Sequence, residues 1–95
     1  MITKKMKTGI EQITEERVKQ IGKYKYTAYH DAQYTKKELL LGALTYLKKA
    51  IYDNGFEIEK TWPFEKKYFH DEGYVENLKK AGAFIAAELD RLNIN

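Results

Sequence analysis

The chain has 95 residues, of which 43% are hydrophobic and 33% are charged, and its formal net charge is +3. This length supports one small core, and the composition is too apolar for a disordered chain. The absence of cysteine excludes disulfides, thiol nucleophiles and thiolate zinc sites. The 17 Lys and Arg are interleaved with 14 Asp and Glu, which is too mixed a distribution for an interface with duplex nucleic acid.

We expect one helical domain over residues 1–95, with a flexible basic amino terminus over 1–8. That terminus has no apolar run or cleavage site of the kind found in secretory signals. No stretch approaches the ~18 apolar residues of a membrane span. The sequence therefore predicts a cytoplasmic protein with no membrane partner.

The first predicted helix covers 9–22. Thr8 and Glu11 have the spacing of a capping box, although Thr14 before two glutamates offers a competing start. Apolar residues recur at helical intervals and are expected to face the core: Ile10, Ile13, Val18 and Ile21.

An aromatic loop over 22–34 separates this helix from the next, which is predicted over 36–52. Thr35 and Glu38 repeat the capping-box spacing, and Asp53-Asn54-Gly55 provides a helix end. The expected inner stripe consists of Leu39, Leu40, Ala43, Leu44, Leu47 and Ile51.

The last helix is predicted over 74–92, after a connector with Pro63 and one short helical turn near 64–69. Its expected inner face consists of Val75, Leu78, Gly82, Ile85, Leu89 and Leu92. Gly82 in mid-helix indicates close approach of another helix or a ligand. The predicted fold class is all-α, a small three-helix domain, or four helices with a short connector helix, with ordered aromatic loops.

Three helices enclose only a modest core, so we expect a homo-oligomer that associates through the helix at 74–92. Four residues widen the apolar surface of that helix and make it the expected interface: Ala83, Phe84, Ala86 and Ala87.

Two His-Asp dipeptides, His30-Asp31 and His70-Asp71, are candidates for a metal site. Metal-dependent phosphohydrolases of the His-Asp type need further histidines, so we interpret Asp31 and Asp71 as turn caps whose neighbouring imidazoles bond to the loops. Asp31 is expected to cap the turn before 36–52 and to fix His30 by a hydrogen bond. No metal or cofactor is assigned.

Helical carboxylates offer an enzymatic alternative, a magnesium-dependent pyrophosphohydrolase of the MazG type. Gln12 interrupts the acidic face of the first helix, and this departs from the paired acidic pattern of such enzymes. The candidates are Glu11, Glu15, Glu16, Glu38, Glu88 and Asp90.

The loops combine aromatic residues with cations. Aromatic faces stack on bases and cations neutralise phosphates, so these loops suit a nucleotide, although aromatic residues also fill helical cores. The aromatic residues are Tyr24, Tyr26, Tyr29, Tyr34, Trp62, Phe64 and Tyr68, and the cations are Arg17, Lys23, Lys25, Lys66 and Lys67.

Four segments resemble a family of small phage and prophage proteins: a Glu16-Arg17-x-x-Gln20 helix, a Tyr26-Thr27-x-x-His30-Asp31 loop, a Trp62-Pro63-Phe64 turn and a closing helix over 78–92. The chain departs from the family pattern at Phe64, where tryptophan is usual, and at Glu65, where aspartate is common. The resemblance implies a phage accessory role and, by analogy, action against host defence.

The leading hypothesis is a non-enzymatic protein that sequesters a nucleotide-type immune signal, such as a cyclic nucleotide or cyclic ADP-ribose, in an infected or lysogenic host. The predicted ligand-binding residues are Arg17, Tyr26, His30, Asp31, Trp62 and Lys66. The alternatives are the metal-dependent nucleotide hydrolase and an inhibitor that covers a host enzyme through the same aromatic loops.

Overall fold

A computed structural model describes residues 6–53 and 55–94. This part of the chain forms four α-helices, which are α1 (Gly9–Gly22), α2 (Ala28–Asp31), α3 (Glu38–Tyr52) and α4 (Tyr74–Leu92). Two 3-10 turns, Ile58–Lys60 and Lys66–Tyr68, connect α3 to α4. The described residues contain no strand, so the predicted all-α class is confirmed. Nowhere in 6–53 or 55–94 is a helix both long and apolar enough to cross a bilayer.

Helix α1 has the predicted bounds and the predicted capping box. The Thr8 hydroxyl accepts a hydrogen bond from Glu11 N, and the Glu11 carboxylate accepts one from Thr8 N. Thr14 is not a helix start, because its hydroxyl donates to Ile10 O inside the helix. Of the segment 1–8 that we predicted to be flexible, residues 1–5 lie outside the described residues.

Two local features differ from the prediction around the second helix. A single helical turn, α2, interrupts the predicted loop, and the Thr27 hydroxyl caps it by accepting from His30 N. The capping box of Thr35 and Glu38 is wrong. Helix α3 begins at Glu38 after Lys37, whose φ of 65° is left-handed, and Glu38 accepts from Lys36 N instead.

Helix α4 packs against both α3 and α1, and two glycines permit the close contacts. A Cβ at Gly42 of α3 would lie 2.9 Å from the Phe84 ring, and one at Gly82 would lie 2.6 Å from Ile13 Cδ1. The close approach expected at Gly82 is therefore made by α1.

The predicted apolar stripes face the core only in part, because Leu39 and Ala43 of α3 are buried and Leu47 packs on the core cluster, whereas most of the other stripe residues are exposed. On α4, Val75, Leu78, Ile85, Leu89 and Leu92 are all between 40% and 60% exposed. Most of the α1 stripe is exposed as well (Ile10, Val18 and Ile21), as are Leu40, Leu44 and Ile51 of α3. The exposed members of the three stripes are not covered by any element of the described chain.

The observed core is an aromatic cluster beside α4, where Tyr46, Trp62 and Ala81 are buried and partly buried side chains such as Phe69 and Phe84 pack on them. Many residues that face inward on α1 and α4 are polar: Glu16, Arg17, Gln20, Asn77, Lys80 and Glu88. Of the four residues predicted to widen the interface, Ala83 and Ala87 are wrong because they are buried within the protomer, while Phe84 and Ala86 are half-buried.

Candidate functional site

A cleft of about 490 Å³ opens between α1, α2, α4 and the segment that contains Trp62. We call it the aromatic cleft. Its lining includes Gln20, Tyr26, His30, Asp31, Tyr34, Trp62, Phe64, Glu65, Tyr68, Phe84 and Ala87. Its volume falls within the range of small-molecule sites.

The rings of the aromatic cleft hold one another in place. His30 stacks on Tyr26 at a centroid distance of 5.3 Å and meets Tyr34 edge-on at 5.8 Å. Tyr34 contacts Phe64 at 5.2 Å, and Phe64 contacts Trp62 at 5.1 Å, both edge-on. Trp62 Nε1 donates to Glu65 O, which fixes the turn after Pro63. The walls are therefore formed by rings whose orientation is set before a ligand arrives.

Arg17 lies behind the wall of the cleft and joins three helices. Its Nη1 donates to Tyr26 O at 2.9 Å and to Gln20 Oε1 at 3.3 Å, and its Nε donates to Asp90 Oδ2 at 3.1 Å. Its Nη2 also lies 3.9 Å from Asp31 Oδ2. The Arg17 guanidinium is buried, so its hydrogen bonds hold neighbouring groups in position and the guanidinium itself does not face solvent.

Asp31 orients the imidazole of His30. The two side chains are joined by a 2.8 Å hydrogen bond between His30 Nδ1 and Asp31 Oδ1, which confirms the predicted contact. A carboxylate that accepts from Nδ1–H leaves Nε2 as the acceptor of the neutral ring. The predicted cap is wrong, because α3 has no side-chain cap and Asp31 is the last residue of α2.

Gln20 supplies an oriented donor. Arg17 Nη1 donates a hydrogen bond to Oε1 of the Gln20 amide. The amino group of that amide is therefore the part that remains to donate to a ligand. Gln20 was absent from the predicted site residues although it belongs to the Glu-Arg-x-x-Gln segment. The signal was its spacing of three from Arg17, which places both side chains on one face of α1.

Four of the predicted site residues line the aromatic cleft: Tyr26, His30, Asp31 and Trp62. Arg17 contacts three lining residues from behind. Lys66 is not brought to the cleft, because its Nζ pairs with Glu59 at 2.7 Å on the exposed surface. Tyr34 and Phe64 line the cleft but were not among the predicted site residues, although both belong to the loop aromatics.

The second His-Asp dipeptide has a structural role, as predicted for Asp71. The Asp71 carboxylate accepts from Gly73 N and from Asn77 Nδ2 at the start of α4. These hydrogen bonds lower its pKa. Within the described ranges 6–53 and 55–94, no three His, Asp or Glu side chains are grouped to hold a metal ion.

All four segments that carry the resemblance meet at this cleft. Its walls include Gln20 of the first segment, Tyr26, His30 and Asp31 of the second, Trp62 to Phe64 of the third, and Phe84 and Ala87 of the fourth, while Arg17 supports them from behind. A comparison with protein-family models, curated proteins and solved structures finds no match to the chain.

We predict that Asp31→Asn becomes more stable relative to the wild type as the pH rises. Burial raises the pKa of the Asp31 carboxyl, although the hydrogen bond from His30 opposes that shift. Because the folded-state pKa of Asp31 is raised, its protonated form stabilises the folded protein. This stabilisation is complete at pH below the unfolded-state pKa and is lost as the pH rises through the folded-state pKa. The asparagine side chain of the variant has no such loss and still accepts the hydrogen bond from His30.

Thermal unfolding of both proteins at pH 4, 5.5 and 7 measures this difference, with Asp53→Asn, an exposed carboxylate, as the control. A relative melting temperature of Asp31→Asn that falls with rising pH would show that Arg17 outweighs burial and lowers the pKa.

Proposed function

We propose that the protein binds a nucleotide-type ligand whose base enters the aromatic cleft. The observation that carries this proposal is the convergence of oriented aromatic rings with two oriented polar groups, the His30 imidazole held through Nδ1 by Asp31 and the Gln20 amide held through Oε1 by Arg17. Aromatic faces stack on any base, and base edges carry both donors and acceptors. The cleft thus matches a heteroaromatic ring in shape and in polarity.

The phosphates of such a ligand belong outside the cleft. Among the described residues, no Lys or Arg lines it, whereas the acidic residues Asp31 and Glu65 do. Cations lie at its rim instead. Lys67 Nζ is 5.2 Å from the ring centroid of Tyr68, and Lys23 Nζ is 5.4 Å from that of Tyr24, which stacks on Tyr26. Lys23 replaces the predicted Lys66 as the candidate for phosphate contacts, because Lys67, like Lys66, pairs with a carboxylate, that of Glu65 at 3.6 Å.

The resemblance to small phage proteins supplies the biological setting. In this proposal the protein acts in the cytoplasm of an infected or lysogenic host and sequesters a cyclic nucleotide or cyclic ADP-ribose signal of host defence, without catalysis. It works as a homo-oligomer, with the ligand held by residues of each aromatic cleft.

Differential scanning fluorimetry with cyclic dinucleotides and cyclic ADP-ribose isomers tests the proposal. A ligand that binds only the folded state raises the melting temperature in a concentration-dependent way. Ribose 5-phosphate and inorganic phosphate are the controls, because they lack the base. Recovery of unchanged ligand after incubation with Mg²⁺ or Mn²⁺ separates sequestration from hydrolysis. No shift with any nucleotide in large excess, or an equal shift with phosphate alone, contradicts the proposal.

A further inference from the structure

The outer face of α4 carries an apolar seam. We define the α4 seam as Val75, Leu78, Ile85, Leu89 and Leu92, whose spacing follows intervals of three and four residues when Gly82 is counted; at Gly82 itself, Ile13 of α1 packs against the helix. All five side chains are substantially exposed, while Phe84 and Ala87 on another face of α4 line the aromatic cleft. The helix thus contributes one face to the cleft and leaves a second, apolar face uncovered by the described residues.

The spacing identifies what covers the seam. Alternation of three and four is the heptad pattern by which one helix packs along another with side chains interdigitated. Soluble monomers rarely expose a contiguous apolar patch this long. The occupant expected from this geometry is therefore a second helix with an apolar face of similar spacing.

The composition of the core indicates that the helix covering the α4 seam belongs to a permanent partner. Among the described residues, seven hydrophobic side chains are buried and four of these are alanines, namely Ala43, Ala81, Ala83 and Ala87. In the same part of the chain, seventeen large hydrophobic residues are exposed. A domain of this size with so small a core is marginal by itself. A partner that binds only occasionally leaves the domain with this small core whenever it is absent. A second copy of the chain that stays bound adds buried apolar area permanently.

We propose that two copies of the chain pair through their α4 seams in an antiparallel, two-fold symmetric dimer. A two-fold axis presents the same patch on both subunits, so a seam that is apolar along its whole length complements itself. With the axis between Gly82 and Ile85, Leu78 lies opposite the partner's Leu89, and Val75 lies opposite the partner's Leu92. Each aromatic cleft stays open because its lining lies on other faces.

The outer face of α3 supplies a matched control. Leu44 is 39% exposed and Leu78 is 40% exposed, so Leu44→Glu and Leu78→Glu place the same charge on equally accessible positions of two helices. Light scattering after size exclusion at micromolar concentration measures the mass. We expect wild type and Leu44→Glu at twice the chain mass of 11.2 kDa, and Leu78→Glu as a single chain or unfolded.

A second measurement uses folded protein and the absence of cysteine in the chain. Ile85→Cys is expected to give an interchain product with a short bismaleimide, because the two thiols face each other near the axis. Leu44→Cys is the control and is expected to give none.

Three results overturn the proposal: a wild-type mass of one chain, dissociation by Leu44→Glu rather than Leu78→Glu, or equal cross-linking at both cysteine positions. None of these results depends on the ligand of the aromatic cleft.

Discussion

Replacing Arg17 with methionine is expected to destabilise the protein by about 3–5 kcal/mol, the usual cost of removing one partner from a buried charged network. The Arg17 guanidinium holds Tyr26 O, Gln20 and Asp90, and it is the cation beside the buried Asp31 carboxylate. Methionine keeps the apolar stem but leaves that carboxylate without a cation. Because small domains are stable by only about 5–15 kcal/mol, chemical denaturation gives a clear readout.

Lys66→Met is the control, since Lys66 pairs with Glu59 on the exposed surface and its removal leaves no buried charge unpaired. It is expected to cost far less than Arg17→Met. The double variant Arg17→Met with Asp31→Asn is expected to recover part of the loss, because no unpaired charge remains buried. If the two single variants cost the same, Arg17 does not hold the wall together.

Replacing Tyr34 with leucine is expected to weaken binding of the nucleotide that gives the largest thermal shift by about 5-fold to 150-fold. This range corresponds to about 1–3 kcal/mol for loss of one base-stacking ring. Leucine preserves apolar bulk against Phe64 and His30, which Tyr34 contacts edge-on, but it has no aromatic face. Isothermal titration calorimetry measures the change.

Tyr29→Leu provides the comparison, because Tyr29 lies one residue before His30, is 81% exposed and does not line the aromatic cleft. The affinity of the Tyr29→Leu variant for the same nucleotide is expected to equal that of the wild type. Equal losses at Tyr29 and Tyr34 would place the ligand on the outer surface of α2 instead.

Signals contained within a few residues predicted local structure well. The Thr8 and Glu11 capping box predicted where α1 begins, because the two groups of that motif lie within one helical turn of each other. The His30 and Asp31 contact followed from adjacency. The box at Thr35 failed because a left-handed Lys37 begins α3 later, and sequence spacing carries no information about that backbone angle.

Signals that depend on tertiary packing were less informative. The periodicity of Leu78, Ile85 and Leu89 identified an apolar face of α4, but periodicity does not state what covers a face. The side that faces inward carries Asn77, Lys80 and Glu88, because it lies beside a polar network that no periodicity rule anticipates. Lys66 was predicted from its charge alone, and the direction of a long exposed side chain is set by neighbours such as Glu59.

The ring contacts also have an optical consequence. Rings run without interruption from Tyr24 through Tyr26, His30, Tyr34 and Phe64 to Trp62, with neighbouring centroids no more than 5.8 Å apart. Trp62 is the single tryptophan among eight tyrosines, so light absorbed by nearby phenols is transferred to one indole that emits. The ratio of emission excited at tyrosine wavelengths to emission excited at tryptophan alone therefore reports the integrity of the cleft, without any label.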